Sequence, residues 1–273
     1  MKKCVYILAL ALAVSCGKQE SGLLPGNGSK TLKVYQQEVR SYLGMDQGNP
    51  AIFWGKDEFL KLYYDDGASH FASSDEAAKD ANDGKTSGAF TFSNLQPEQA
   101  ESYTLCAIYP ASAAVSSSGG NADSYKVVLP SVQTAIEGSY DPSAFIMVAK
   151  TETFTEFPSE WTASFYRAVA LNQLTLVGVK EDVKAVVITA EGKSLAGGRY
   201  FDLTLGTANE VYAGTSSITV KYKNALAKAA FLDVFFTSWN TTISSGENLS
   251  VKVIGTSNTY TKTITAGALG IKF

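Results

Sequence analysis

Apolar residues in this chain recur mostly at every second position, and that spacing leaves few folds open. In Ser217–Tyr222 the residues Ile218, Val220 and Tyr222 alternate with polar ones, and in Leu249–Ile254 Leu249, Val251 and Val253 do the same. A period of two puts successive side chains on opposite faces of a strand, whereas a helix would need apolar residues three and four apart. Further strands are expected over Phe59–Tyr64, Ala89–Phe92, Ser102–Tyr109, Ala168–Val177, Arg199–Leu205 and Ala229–Phe236. Turn-forming clusters separate most of them: Asp65-Asp66-Gly67, Asn82-Asp83-Gly84, Ser118-Gly119-Gly120, Glu191-Gly192, Gly197-Gly198 and Ser245-Gly246. Strands that each hide one face cannot remain one flat sheet, so the expected class is all-β, with sheets packed face to face as sandwiches.

One segment fits less simply. Leu32, Tyr35, Val39, Tyr42 and Leu43 lie near helical spacing, so residues 30–44 read as a short amphipathic helix or as a strand broken near Arg40, with the strand preferred. Pro158 ends regular structure, and a fresh series of strand patterns starts at Trp161. Two domains in tandem are therefore expected, residues 31–160 and 161–273.

The N-terminus predicts the compartment. Met1-Lys2-Lys3 is followed by the uncharged apolar run Cys4–Val14, the layout of an export signal. The run is too short for a membrane-spanning helix, which needs roughly 20 residues. Ala13-Val14-Ser15-Cys16 resembles a bacterial lipobox, in which the cysteine is acylated before residues 1–15 are removed. Residues 16–30, rich in Gly and Ser, then read as a flexible linker. The expectation is a bacterial outer-membrane protein, lipid-anchored through Cys16 and exposed at the cell surface.

Catalytic chemistry is hard to assemble from this composition. With one histidine in the chain, His70 in a polar stretch, the usual hydrolase and metal-centre constellations lack their imidazoles. Asp80-Ala81-Asn82-Asp83-Gly84 lacks the alternating ligand spacing and closing glutamate of a calcium loop. Gly26-Asn27-Gly28-Ser29-Lys30 lacks the order of a phosphate loop. No enzyme activity, metal or cofactor is expected, and a net charge of −3 offers no footprint for nucleic acid. Past Cys16 only Cys106 remains, which reads as a small buried hydrophobe. Trp54, Tyr63, Tyr64, Trp161 and Trp239 could stack on sugar rings or serve as core residues.

The order of segments resembles the Bacteroidales fimbrillin-like proteins. The residues that carry the resemblance are the lipobox and linker, then Phe53-Trp54-Gly55-Lys56-Asp57-Glu58-Phe59, Ala89-Phe90-Thr91-Phe92 and Tyr103–Pro110. Val128-Leu129-Pro130-Ser131-Val132-Gln133, Phe145–Ala149 and Phe165-Tyr166-Arg167-Ala168-Val169-Ala170 continue it, although Arg167 stands where histidine is common in that family. The resemblance implies two transthyretin-like β-sandwich domains and a structural or adhesive subunit of a fimbria. In polymerising members an arginine-specific protease removes the lipidated segment with the first strand, and a neighbouring subunit's strand fills the gap. Arg40-Ser41 is the bond placed for such a cut, and Leu269, Ile271 and Phe273 alternate as a donor strand would, or as the closing strand of their own domain. Implied partners are other fimbrial subunits and a surface protein or glycan. The alternative is a glycan-binding surface lipoprotein that does not polymerise.

Overall fold

A computed structural model of the chain describes residues 29–36, 42–46, 49–53, 59–75, 88–115, 122–136, 138–241, 243–244 and 246–265. The strands run β1 (Lys30–Gln36), β2 (Tyr42–Asp46), β3 (Asn49–Phe53), β4 (Lys61–Asp65), β5 (Ser69–Ser73), β6 (Gly88–Leu95) and β7 (Tyr103–Tyr109). A middle group follows: β8 (Ala114–Val115), β9 (Tyr125–Leu129), β10 (Val132–Thr134), β11 (Met147–Ala149), β12 (Glu152–Phe154), β13 (Glu160–Ala163) and β14 (Phe165–Arg167). The remainder are β15 (Val169–Val177), β16 (Val183–Ala190), β17 (Ala196–Asp202), β18 (Thr207–Thr215), β19 (Ser217–Leu226), β20 (Phe231–Trp239), β21 (Asn248–Gly255) and β22 (Thr259–Thr265). Only single 3-10 turns interrupt them, and no α-helix occurs among the described residues. The all-β expectation is met, and the ambiguous segment after the linker begins with a strand.

The organising element is the sheet β14-β11-β7-β4-β5, with β12 also paired to β7. Both of its faces are covered. Leu62, Tyr64, Leu105, Ala107, Tyr109, Met147 and Ala149 point into one apolar core, which the small sheet β13-β1-β6 closes from the other side. Tyr63, Cys106, Ile108, Ile146 and Val148 point the opposite way, into a larger core. That core is shared with β18-β17-β9-β8, β10-β19-β16-β21-β22 and the pair β15-β20. A sheet buried on two faces needs near-continuous apolar runs, which is why Tyr103–Tyr109 and Leu62–Tyr64 break the simple alternation.

Pairing continues across the expected boundary at residue 160. β13 lies beside β1, β14 beside β11, β9 beside β17 and β10 beside β19. The larger core runs from Tyr63 to Val253, drawing on both halves of the chain. A side chain stitches them too. The buried Gln133 amide accepts the Thr237 N–H at 2.9 Å and donates to the Thr237 carbonyl at 2.7 Å, standing in for a strand neighbour along β20.

Glu181, just before β16, organises the β21–β22 turn. Its carboxylate accepts the N–H groups of Ser257 (2.7 Å) and Asn258 (2.9 Å) and the Thr256 hydroxyl (3.1 Å). Desolvation pushes its pKa upward, but these hydrogen bonds and one from Tyr260 outweigh it and hold the group at about 2. A depressed carboxylate stabilises the fold at pH above its unfolded value of about 4.3, and the contribution fades as pH falls through the folded value. Amide exchange at Ser257 and Asn258 should therefore stay protected from pH 5 down to near pH 2. In Glu181→Gln the protection should be weaker throughout and insensitive to pH across that window.

Candidate strand-exchange site

The sequence of β1 explains its position. Leu32 and Val34 alternate with Thr31 and Lys33, so one face is apolar and the other polar. The apolar pair is fully buried, while Thr31 and Lys33 are exposed. β1 is the middle strand of its sheet, antiparallel to β6 and parallel to β13. Leu32 lies opposite Phe92, and Val34 lies opposite Phe90 on one side and Trp161 on the other. The Lys33 N–H donates to the Ser159 carbonyl at 2.9 Å, and the Tyr35 hydroxyl donates to Glu160 Oε1 at 3.3 Å.

Its start is marked by a bulge. Between Lys30 and Leu32 the register with β6 shifts, and Asn94 takes a φ of 57°. Asparagine tolerates that left-handed conformation better than most residues. The Ser29 hydroxyl donates to Asn94 Oδ1 at 3.3 Å.

Taking β1 away would leave two parted strand edges with a gap between them. Phe90 and Phe92 on β6 and Trp161 on β13 flank that gap, in the one core that Leu32 and Val34 share with Leu60 and Leu62 of the facing side. Trp161 supplies its ring, with Nε1 buried and without a partner. Burying two aliphatic side chains is worth about 1.5–3 kcal/mol each, and the exposed N–H and C=O groups of both edges add a demand for pairing. Any extended segment with apolar residues at two alternate positions meets that demand.

The structure places the sequence-derived residues as follows. Cys16, Arg40, Ser41, Trp54, Leu269, Ile271 and Phe273 lie outside the described residues. Tyr63, Tyr64, Trp161 and Trp239 are buried, at 1, 4, 2 and 0% exposure, so their ring faces meet core side chains and are closed to a sugar. Tyr63 and Tyr64 face opposite cores of the doubly covered sheet. The Trp239 Nε1–H donates to the Gly197 carbonyl at 3.0 Å. Cys106 is buried, and burial pushes its thiol up to about 12, consistent with an inert packing role. His70 sits on β5 rather than in a loop, stacked on Tyr64 with Nε2 2.8 Å from Asp66 Oδ1. Sequence reading missed β13 as the parallel neighbour of β1. The alternation of Trp161 and Ala163 was visible, but nothing local says which distant strand they join.

Among the described residues, no group of three His, Cys, Asp or Glu side chains is placed to hold a metal ion, and no helix is long and apolar enough to cross a membrane. No known family matches the sequence, and no curated protein matches it either. Among solved structures, the chain is similar to a candidate adhesin from Bacteroides ovatus, at 10% identity and a TM-score of 0.43. The match covers 84% of this chain and 72% of that one.

Proposed function

We propose that this chain is an exported surface subunit, structural or adhesive, that joins its neighbours by strand exchange at the position of β1. The observation that carries this reading is the placement of β1 between β6 and β13 over an apolar core. Sequence order supports it as well: β1 lies between Cys16 and Arg40, so one cut after Arg40 would release the lipid anchor and the strand together. In this scheme Cys16 anchors the unprocessed chain to the outer membrane. Leu269, Ile271 and Phe273 of a neighbour, spaced like Leu32 and Val34, are the donor. The role needs no catalytic group and no cofactor.

An arginine-specific protease provides the test. Incubated with it, the purified chain should be cut after Arg40 and pass from monomer to multimers that resist heating in detergent. Arg40→Ala should remain monomeric under the same treatment. A chain left intact at Arg40, or cut there yet still monomeric, would sink the proposal.

A further inference from the structure

The pair β15-β20 packs over a wider sheet, and two strands cannot cover five. Leu232 and Val234 of β20 share a core with Val186, Ile218 and Val220 of β10-β19-β16-β21-β22. Past the outer edge of β20 that core is incompletely covered: Tyr222 and Leu226 of β19, and Ala135 just after β10, are only partly buried. A groove of about 490 Å³ follows this edge, with Ile136, Phe231 and Phe235 also on its walls. Ile136 is 41% and Phe231 69% exposed, high values for apolar side chains.

The backbone along the groove has no partner strand. Among the described residues β20 pairs with β15 and no other strand, and their register runs without a shift. Thr237 offers its N–H and C=O to the Gln133 side-chain amide, so those groups point away from β15. Successive residues of a strand turn these groups to opposite edges, so Phe235, Asp233 and Phe231 also turn theirs away from β15, towards the groove. Gln133 thus fills one place that a further strand would take, and the next three are open. On the solvent face Asp233 lies between the two phenylalanines. Its Oδ1 accepts the Thr175 hydroxyl at 2.6 Å, and among the described residues no lysine or arginine pairs with it.

We propose that the groove takes residues 269–273 (Leu-Gly-Ile-Lys-Phe) of a second copy of the chain as an added strand beside β20. This rests on the reading of those residues as a strand donor, but gives them an acceptor that exists while β1 is still in place. Lys272 opposite Asp233 brings unlike charges together on the solvent face. Leu269, Ile271 and Phe273 then point to the other face, into the groove against Tyr222 and Leu226. In either strand direction Gly270 falls opposite Phe231 or Phe235, whose ring covers the bare glycine. The donor is a second copy because the chain's own end falls short. Thr265 closes β22 at the far margin of the five-stranded sheet, three strand spacings or about 14 Å from β19. Residues 266–268 span about 10–11 Å when fully extended. A five-residue strand buries much less than a stable interface does, so copies meet this way only at high concentration.

Amide shifts of the full chain on adding a synthetic peptide of residues 266–273, with no protease present, test this. They should move at residues 231–235 and along the groove wall at 135–136 and 222–229, saturating at roughly millimolar peptide. Lys272→Glu in the peptide should weaken binding about fivefold, and Asp233→Lys in the chain should restore the affinity for that peptide while weakening it for the native one. Asp233 is exposed, so its replacement leaves the core untouched. Ile271→Asp in the peptide should abolish binding. Absence of any shift, shifts confined to β1, β6 and β13, or a charge swap that restores nothing would overturn the proposal. Because β1 stays in place and Arg40 uncut, failure here leaves polymerisation through the β1 slot standing, and failure of that polymerisation leaves this binding unaffected.

Discussion

A chain that begins at Ser41, and so lacks β1, should bind a hydrophobic dye strongly and melt about 6–24 °C below the full chain. A synthetic peptide of residues 29–37 should reverse both effects. The size follows from what β1 contributes. Leu32 and Val34 are fully buried, so their removal costs about 3–6 kcal/mol in apolar burial alone, against a total stability of order 5–15. For a chain of this size each kcal/mol shifts Tm by about 2–4 °C. The dye should report the uncovered core around Phe90, Phe92 and Trp161. A peptide carrying Leu32→Asp and Val34→Asp should restore nothing, because each carboxylate would be driven into that core unpaired. If the truncated chain melts like the full one, β1 is not an integral strand and the exchange scheme loses its basis.

Trp239→Ala should be nearly as damaging, by about 3–5 kcal/mol, and should leave the peptide response of the β1 slot intact. Trp239 is fully buried at the end of β20 and packs near Phe201, with ring centroids 6.1 Å apart. The Arg199 guanidinium lies 5.1 Å from its ring centroid, and burial lowers the pKa of that guanidinium. Removing the indole therefore opens a cavity, strips the Gly197 carbonyl of its donor and leaves Arg199 facing empty space. Trp239→Phe keeps most of the volume and should cost about 1–2 kcal/mol, chiefly for the orphaned carbonyl. Thermal and denaturant unfolding of both variants would settle the order. Equal losses in the two would mean the hydrogen bond, rather than the volume, dominates.

The β1 slot was half legible in the sequence. Leu32 and Val34 alternate, Arg40 follows them, and the linker precedes them, so a detachable first strand could be anticipated. That it lies between β6 and β13 could not, because β13 comes more than a hundred residues later and pairs in parallel. Parallel neighbours need a long crossover, and a short strand pattern carries no mark of its partner. The aromatic residues failed for a related reason. Tyr63 and Tyr64 are adjacent, so on an ordinary half-exposed sheet one of them would face solvent. Here both are buried, since their sheet is covered on two sides. Tyr200 of β17 and Tyr212 of β18, both part-exposed with ring centroids 4.7 Å apart, have no distinguishing pattern. Their meeting depends on a bulge and on Gly198, and neither is visible before the register is known.

What the sequence determined by itself is local: which segments are extended and where turns interrupt them. Period-two alternation is a property of neighbouring residues and survives any arrangement of the strands. The tertiary structure alone decided which edges meet, which sheet is buried on both faces, and that packing runs across residue 160. Those outcomes rest on contacts between residues far apart in the chain, where burial of whole faces rather than local preference sets the free energy.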